Sequence, residues 1–312
     1  MFEPKLHHVH CPDSSGGHRM AWWQWGGDES EHVLVCAHGL SRQGRDFDVL
    51  AQAVLERAAE LGRPLRVICP DVVGRGESDW LKDPMGYQFT TYVGDMLGML
   101  AKLHQDSAIG TLDWLGTSMG GIIGMSLAGM PGLPLPVPIH RLVLNDVGPS
   151  IEWSALERIG EYLGKSGSFS TVEQGAEAMR AISASFGPHT DAQWLALSRP
   201  MLRALPEGGF RLHYDPAIAI PYSHMTREVS VQGEAALWQI YDQITAETLI
   251  LRGADSDLLS PDTVRAMRDR GPRPRAVEFA GVGHAPTLVA PEQVQVVLDF
   301  LLPRAHIGPE LT

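Results

Sequence analysis

Three residue types in this chain have the chemistry and spacing of a nucleophilic catalytic site. A serine stands between glycines in Gly116-Thr117-Ser118-Met119-Gly120, a histidine ends the glycine-rich stretch Gly281-Val282-Gly283-His284, and aspartates lie in the loops between them. A serine hydroxyl is a weak nucleophile at neutral pH and needs a base whose pKa lies near 7. Imidazole is that base, and a carboxylate on its other nitrogen fixes tautomer and orientation. The G-x-S-x-G pentapeptide alone is weak, since roughly 0.2 matches arise by chance at this glycine and serine content. Its setting strengthens it: Leu112 to Leu115 reads as a strand and Met119 to about Gly129 as a small-residue helix. A sharp strand-to-helix turn lifts a hydroxyl clear of a sheet, and the helix N-terminus offers N–H groups to a developing oxyanion.

The elements that must hold these residues alternate. Val33 to Ala37, Leu65 to Cys69, Leu112 to Leu115, Arg141 to Asn145, Thr248 to Leu251 and Ala276 to Phe279 are short apolar runs separated by helix-period segments. That alternation predicts a mostly parallel sheet flanked by helices. Leu50, Val54, Ala58 and Leu61 fall on one helical face, with Gly62 as a stop, and Ser260-Pro261-Asp262 has the composition of a helix start. Leu6 to His10 and Arg19 to Trp25 are read as an antiparallel edge hairpin. From Pro149 to about Gly233 helix-like segments rich in aromatics occur without a convincing buried strand. The expected organisation is a core of 1–148 and 234–312 with a helical insertion at 149–233.

At this point the chain resembles the α/β-hydrolase superfamily over nearly its whole length. His38-Gly39 closes a strand where that family places its oxyanion turn, and Asp71-Val72-Val73-Gly74-Arg75-Gly76-Glu77-Ser78 resembles its D-x-x-G-x-G-x-S turn. Gly116 to Gly121 matches the nucleophile elbow, and Gly281 to His284 the loop of the catalytic histidine. The resemblance implies an eight-stranded, mostly parallel sheet with a helical cap at 149–233, Ser118 as nucleophile and His284 as base. It further implies oxyanion donors from the backbone of Leu40 and Met119. Asp71 and Ser78 are read as parts of a hydrogen-bonded turn.

The acid is less directly marked. Asp255 and Asp257 both lie in the loop after Leu249 to Gly253, where the family shows glycine, two residues, then the acid. Here that third position is Ser256, so the loop departs by one residue. Counting back from the helix start at Ser260-Pro261 favours Asp257, with Asp255 and Asp146 as the alternatives; some branches of the family place the acid after the sixth strand.

Serine at the elbow sets aside the haloalkane dehalogenase and epoxide hydrolase chemistries of this fold, which use aspartate there. The expected activity is hydrolysis of a small or medium carboxylic ester through an acyl-enzyme, without metal or organic cofactor. Lactone or thioester hydrolysis and C–C cleavage of meta-cleavage type are the alternatives. The last needs a cation for its anionic substrate, and Arg42, Arg75 and Arg199 are the candidates. A small-molecule receptor on the same scaffold is the non-enzymatic reading.

The bulk composition agrees with a globular enzyme. In 312 residues, 44% are hydrophobic and 20% charged, and the formal charge is −12. An acidic chain without basic clusters speaks against nucleic acid and anionic membrane as partners. No segment reaches the roughly 18 apolar residues of a membrane span. The cysteines Cys11, Cys36 and Cys69 are an odd set without C-x-x-C spacing, and Met1 to His10 holds no apolar leader. The expectation is a cytoplasmic protein with free thiols, acting on a small-molecule ester, with homo-oligomerisation left open. His7, His8, His10 and His18 read as solvated strand or turn residues.

Overall fold

The computed structural model describes residues 3–165 and 167–304, so the end of the expected core range, 305–312, lies outside the described residues. Chain order begins with the strands β1 (Lys5–Cys11), β2 (His18–Trp25) and β3 (His32–Ala37), then helix α1 (Asp48–Glu60). Next come β4 (Arg66–Asp71), α2 (Phe89–Asp106), β5 (Thr111–Thr117), α3 (Met119–Gly129) and β6 (Ile139–Asn145). A long excursion follows: α4 (Trp153–Tyr162), β7 (Ser168–Phe169), α5 (Val172–Ile182), α6 (Asp191–Ser198), β8 (Leu202–Ala204), β9 (Phe210–Leu212), α7 (Ala219–Ser223) and α8 (Arg227–Tyr241). The chain then returns through β10 (Glu247–Gly253), α9 (Pro261–Asp269), β11 (Arg275–Phe279) and α10 (Pro291–Leu301).

Eight strands form one sheet in the order β1-β2-β4-β3-β5-β6-β10-β11. The two amino-terminal strands form the expected hairpin, with Lys5 opposite Gln24 and Cys11 opposite His18, and β2 pairs antiparallel with β4. From β4 to β11 every pairing is parallel. Parallel strands covered on both faces read as continuous apolar runs, which is why these six were legible. The faces separate by simple alternation. In β3, Val33, Val35 and Ala37 join the core beneath α2 and α3, while Leu34 and Cys36 join the core beneath α1 and α10.

The excursion between β6 and β10 differs from an all-helical insertion. Strands β7, β9 and β8 form a small antiparallel sheet, paired Phe169 to Phe210 and Leu202 to Leu212. Two or three residues are too few to show period-two patterning, so these strands left no signal. The expected boundary at 233/234 falls inside α8, a continuous helix capped by the Thr226 side chain. Among the described residues no helix is long and apolar enough to cross a membrane.

All parallel strands end on one edge of the sheet, and ligands of open α/β sheets bind outside that edge. The turn from β5 into α3 approaches β3 without room for side chains. A Cβ on Gly120 would lie 2.1 Å from the Ala37 carbonyl oxygen, and one on Gly116 would lie 2.2 Å from that of Gly120. Both obstacles are main chain and cannot rotate away. Gly120→Ala is therefore expected to destabilise the fold by on the order of 3 kcal/mol or more. Chemical denaturation checks this; a midpoint shift equivalent to under about 1 kcal/mol would mean that the turn is looser than described.

Candidate active site

Ser118 caps the turn between β5 and α3 with φ 52° and ψ −116°, left-handed backbone that a non-glycine residue adopts only under constraint. The constraint is visible: its amide donates to the Asn145 carbonyl at the end of β6 (3.0 Å), and the Gly120 amide donates to the His38 carbonyl (3.1 Å). The Ser118 hydroxyl meets His284 Nε2 at 3.0 Å. On the other side of the ring, His284 Nδ1 lies 2.7 Å from Asp146 Oδ2. Imidazole thus stands between a hydroxyl and a fully buried carboxylate.

Asp257, the expected acid, is elsewhere. Its carboxylate makes a two-pronged pair with Arg158 of α4, at 2.6 and 2.9 Å, and its side chain is 45% exposed. Asp146 is anchored instead in the slot between β6 and β10. Its amide donates to the Leu251 carbonyl (2.8 Å), Oδ1 accepts from the Gly253 amide (2.9 Å) and Oδ2 accepts from the Ser256 hydroxyl (2.6 Å). At φ 55° it occupies the left-handed region that aspartate tolerates better than most residues. The difference has a local cause. Ser256, at the loop position where the resemblance implies an acid, gives a hydroxyl donor to the carboxylate that arrives from the neighbouring strand. Asp255 is held by its amide on the Val282 carbonyl (2.9 Å).

The histidine loop is held by two residues that sequence reasoning did not single out. The Asn145 side-chain amide donates to Thr117 Oγ1 (2.9 Å) and to the Pro286 carbonyl (2.8 Å), bridging the elbow to the chain just after His284. Ser185, from the excursion, donates its hydroxyl to the His284 carbonyl (2.8 Å), and its carbonyl accepts from the Gly283 amide (2.6 Å). Asn145 directly precedes Asp146, and that adjacency was the available sequence signal; Ser185 had none.

Behind the elbow, the two turns carrying Leu40 and Asp71 are joined. His38 Nε2 accepts from the Val72 amide (3.0 Å), so Nδ1 carries the proton and donates to the Gly39 carbonyl (2.7 Å). Full burial pulls its pKa down to about 3, aided by the Arg75 and Arg42 cations. Asp71 accepts from the Gly44 and Glu77 amides (2.7 and 2.9 Å), and burial pushes it up to about 7 against those donors. Ser78 donates its hydroxyl to the Asp71 carbonyl and accepts from the Ala21 amide. Both residues are parts of the turn, as read from sequence.

Arg75, fully buried, donates Nε to the Leu40 carbonyl (2.8 Å) and Nη1 to the Val73 carbonyl (2.7 Å), with Nη2 3.6 Å from Met119 Sδ. Its guanidinium lies over the ring of Tyr92. Arg75 therefore touches both residues expected to frame the oxyanion. Met119 opens α3, so its N–H has no acceptor within the helix.

The Ser118 hydroxyl opens on a cavity of about 340 Å³ between the sheet edge and the excursion, in the range of small-molecule sites. Its walls are mainly apolar, with Ile159, Leu163, Met179 and Phe186 from the excursion facing Leu40 and His284 from the sheet edge. Arg42 lines it as well, while Arg199 lines a separate surface hollow. A larger hollow of about 950 Å³, near Gly27 to His32 and Gly110, lies away from these groups.

Among the described residues one cluster could hold a metal ion. Cys11, His18 and Asp95 bring a sulfur, a nitrogen and an oxygen within 4.8 Å, all buried. His18 is thus not solvated: Nε2 lies 2.9 Å from Asp95 and Nδ1 3.0 Å from Asp13. Burial opposes charge on His18, yet the two carboxylates raise its pKa. The partner carboxylate comes from α2, 77 residues away, so nothing near His18 announced it.

A model of the alpha/beta hydrolase family matches residues 34–295. A 3-hydroxybutyrate-oligomer hydrolase from Cupriavidus necator is 46% identical over 302 residues, covering 95% of this chain and 97% of that protein. An alpha/beta hydrolase from Novosphingobium aromaticivorans superposes with a TM-score of 0.79 at 32% identity, over 97% of this chain and 100% of that one. A putative hydrolase from Rickettsia typhi gives 0.81 at 27% identity over the same shares.

The neutral His38 sets an acid limit on stability. In the unfolded chain its imidazole takes up a proton below its ordinary pKa of 6.5, whereas the folded protein resists until about 3. Its contribution is therefore complete above pH 6.5 and is lost as pH falls from 6.5 to 3, on the order of a few kcal/mol. Asp71, whose folded pKa is raised, acts with the opposite slope, but does so in wild type and variant alike. Urea midpoints of His38→Gln should fall less steeply between pH 7 and 4 than those of wild type; parallel curves would remove His38 as the cause.

Proposed function

Since the chain belongs to the alpha/beta hydrolase family, we propose that it is a serine hydrolase of carboxylic esters, with Ser118 as nucleophile, His284 as general base and Asp146 as the carboxylate that orients and charges-balances the imidazole. The observation that carries this reading is the chain of hydrogen bonds from Ser118 Oγ through His284 to Asp146, at 3.0 and 2.7 Å.

In the proposed reaction His284 Nε2 takes the Ser118 proton as Oγ attacks the ester carbonyl. The tetrahedral oxyanion faces the N–H groups of Leu40 and Met119, a fixed pair of backbone donors. The two halves of that pair are braced by Arg75, whose charge also favours negative charge nearby. Collapse expels the alcohol, protonated by His284, and water activated by the same imidazole frees the acyl group. Asp146 is suited to its part because it is buried and already holds two other donors, so it stays fixed while the ring gains charge.

The relative that acts on 3-hydroxybutyrate oligomers supports an oligoester of a short hydroxy acid as substrate class, in preference to C–C cleavage. Residues from 149 to about 233 would form the lid over this substrate, the elbow side of the cavity belonging to the core. The three unpaired cysteines suit a reducing compartment such as the cytoplasm.

Two comparisons test the site. Ser118→Ala should abolish turnover of p-nitrophenyl esters with little change in melting temperature, and an organophosphate should label Ser118 alone; label on another serine would overturn the assignment. Asp146→Asn should lower kcat by up to about 10⁴, the scale of an asparagine substitution in the serine-protease example of this geometry. Asp257→Asn, which breaks an exposed pair, should cost no more than a few-fold. Equal losses would show that the Arg158 pair belongs to the catalytic network.

A further inference from the structure

We propose that the cavity binds the free carboxylate end of its substrate, with Lys165 as the anchoring cation. The proposal rests on the reading of Ser118 as an ester-cleaving nucleophile and adds to it which esters the site selects and from which end.

The chain carries 37 acidic and 25 basic side chains, yet the cavity beside Ser118 reverses that balance. Arg42, Arg158 and Lys165 line it, and no aspartate or glutamate does. The two arginines are already paired with carboxylates that do not line the cavity. Arg42 makes a two-pronged pair with Asp46 at 2.7 and 2.6 Å and also donates to the Leu197 carbonyl. Arg158 is held in the same way by Asp257. Among the described residues no carboxylate pairs with Lys165. Among the described residues it is the one cation of the wall without a carboxylate partner, and it stands exposed at the rim.

Its position is set by the end of α4. Helix α4 ends at Tyr162 with Leu163 extended; Gly164 follows at φ 78°, its amide donating to Tyr214 Oη (3.1 Å), and the Lys165 amide donates to the Tyr162 carbonyl (3.1 Å). The main chain of Lys165 is thereby fixed at the rim of the excursion, while the reacting serine belongs to the sheet edge. The walls between are apolar. A neutral ester makes no use of an uncompensated ammonium in such a cavity, whereas a linear oligomer of a hydroxy acid has one carboxylate, at one end only. Held by that end, the chain presents an ester bond at a set distance from its acid terminus. Selectivity then falls on short oligomers, whose acid end and scissile bond fit the cavity together.

The experiment uses the linear dimer and trimer of 3-hydroxybutyrate, each as the free acid and as its methyl ester, with release of monomer followed chromatographically and p-nitrophenyl butyrate as a measure of the Ser118 chemistry. The quantity read is the ratio of kcat/KM for the acid to that for its methyl ester. Wild type should favour the acid by about tenfold, the scale of a charge-assisted contact in a partly exposed site. The preference should shrink as ionic strength rises. Lys165→Met should bring the ratio close to one, mainly through KM for the acid, and Lys165→Arg should keep most of it. A wild-type ratio at or below one, with both forms cleaved, would overturn the carboxylate anchor and leave the esterase reading intact. A ratio unchanged in Lys165→Met would overturn Lys165 as the anchor. Failure to cleave p-nitrophenyl butyrate or either oligomer would instead bring down the reading of Ser118.

Discussion

The site depends on a carboxylate that has been taken out of water and kept there. Asp146 has no exposed surface, and its two oxygens take three donors: the Gly253 amide, the Ser256 hydroxyl and the His284 ring. A buried carboxylate is costly unless its lone pairs are filled, and filled it becomes a rigid reference point. Three segments distant in sequence are brought together by that one side chain: the end of β6, the loop after β10 and the loop after β11. Parallel pairing puts all three on the same edge. The orientation of the His284 imidazole then follows, because a ring with Nδ1 fixed at 2.7 Å from a carboxylate has few ways left to turn.

The elbow serine is held by a different means. Ser118 sits in left-handed backbone because the turn is braced on both sides, by Asn145 on β6 and by His38 just past the end of β3. Glycines at 116 and 120 let main chain approach main chain where any side chain would collide. The neutral His38 and the buried Arg75 tie the adjacent turns to this support through carbonyl acceptors rather than ion pairs. Such ties are insensitive to salt and tolerate little displacement. What results is a serine whose position is set by backbone and a histidine whose position is set by charge.

This division explains what could be read in the sequence. Ser118 and His284 announced themselves because glycine spacing and a preceding strand are local patterns. The six parallel strands were legible as unbroken apolar runs. The loop spacing favours Asp257 over Asp146, since the choice between them depends on which loop folds back over the neighbouring strand. The departure at Ser256 was the pertinent clue: a hydroxyl in place of an acid implies an acid arriving from elsewhere. Strands β7, β8 and β9 are too short to carry a pattern, and the burial of His18 needed Asp95 from a helix far along the chain. Contacts of that range are set by topology, which a window of sequence does not contain.

The bond between Ser185 and the His284 loop has consequences for how such enzymes diversify. A segment inserted between two strands is commonly regarded as an exchangeable module, free to vary while the sheet retains the chemistry. Here the excursion reaches back and grips the main chain of the histidine loop, donating to the His284 carbonyl and accepting from the Gly283 amide. Replacement of the excursion by that of another relative would therefore exchange a support of the imidazole along with the cavity walls, so the excursion and the sheet edge are bound to change together.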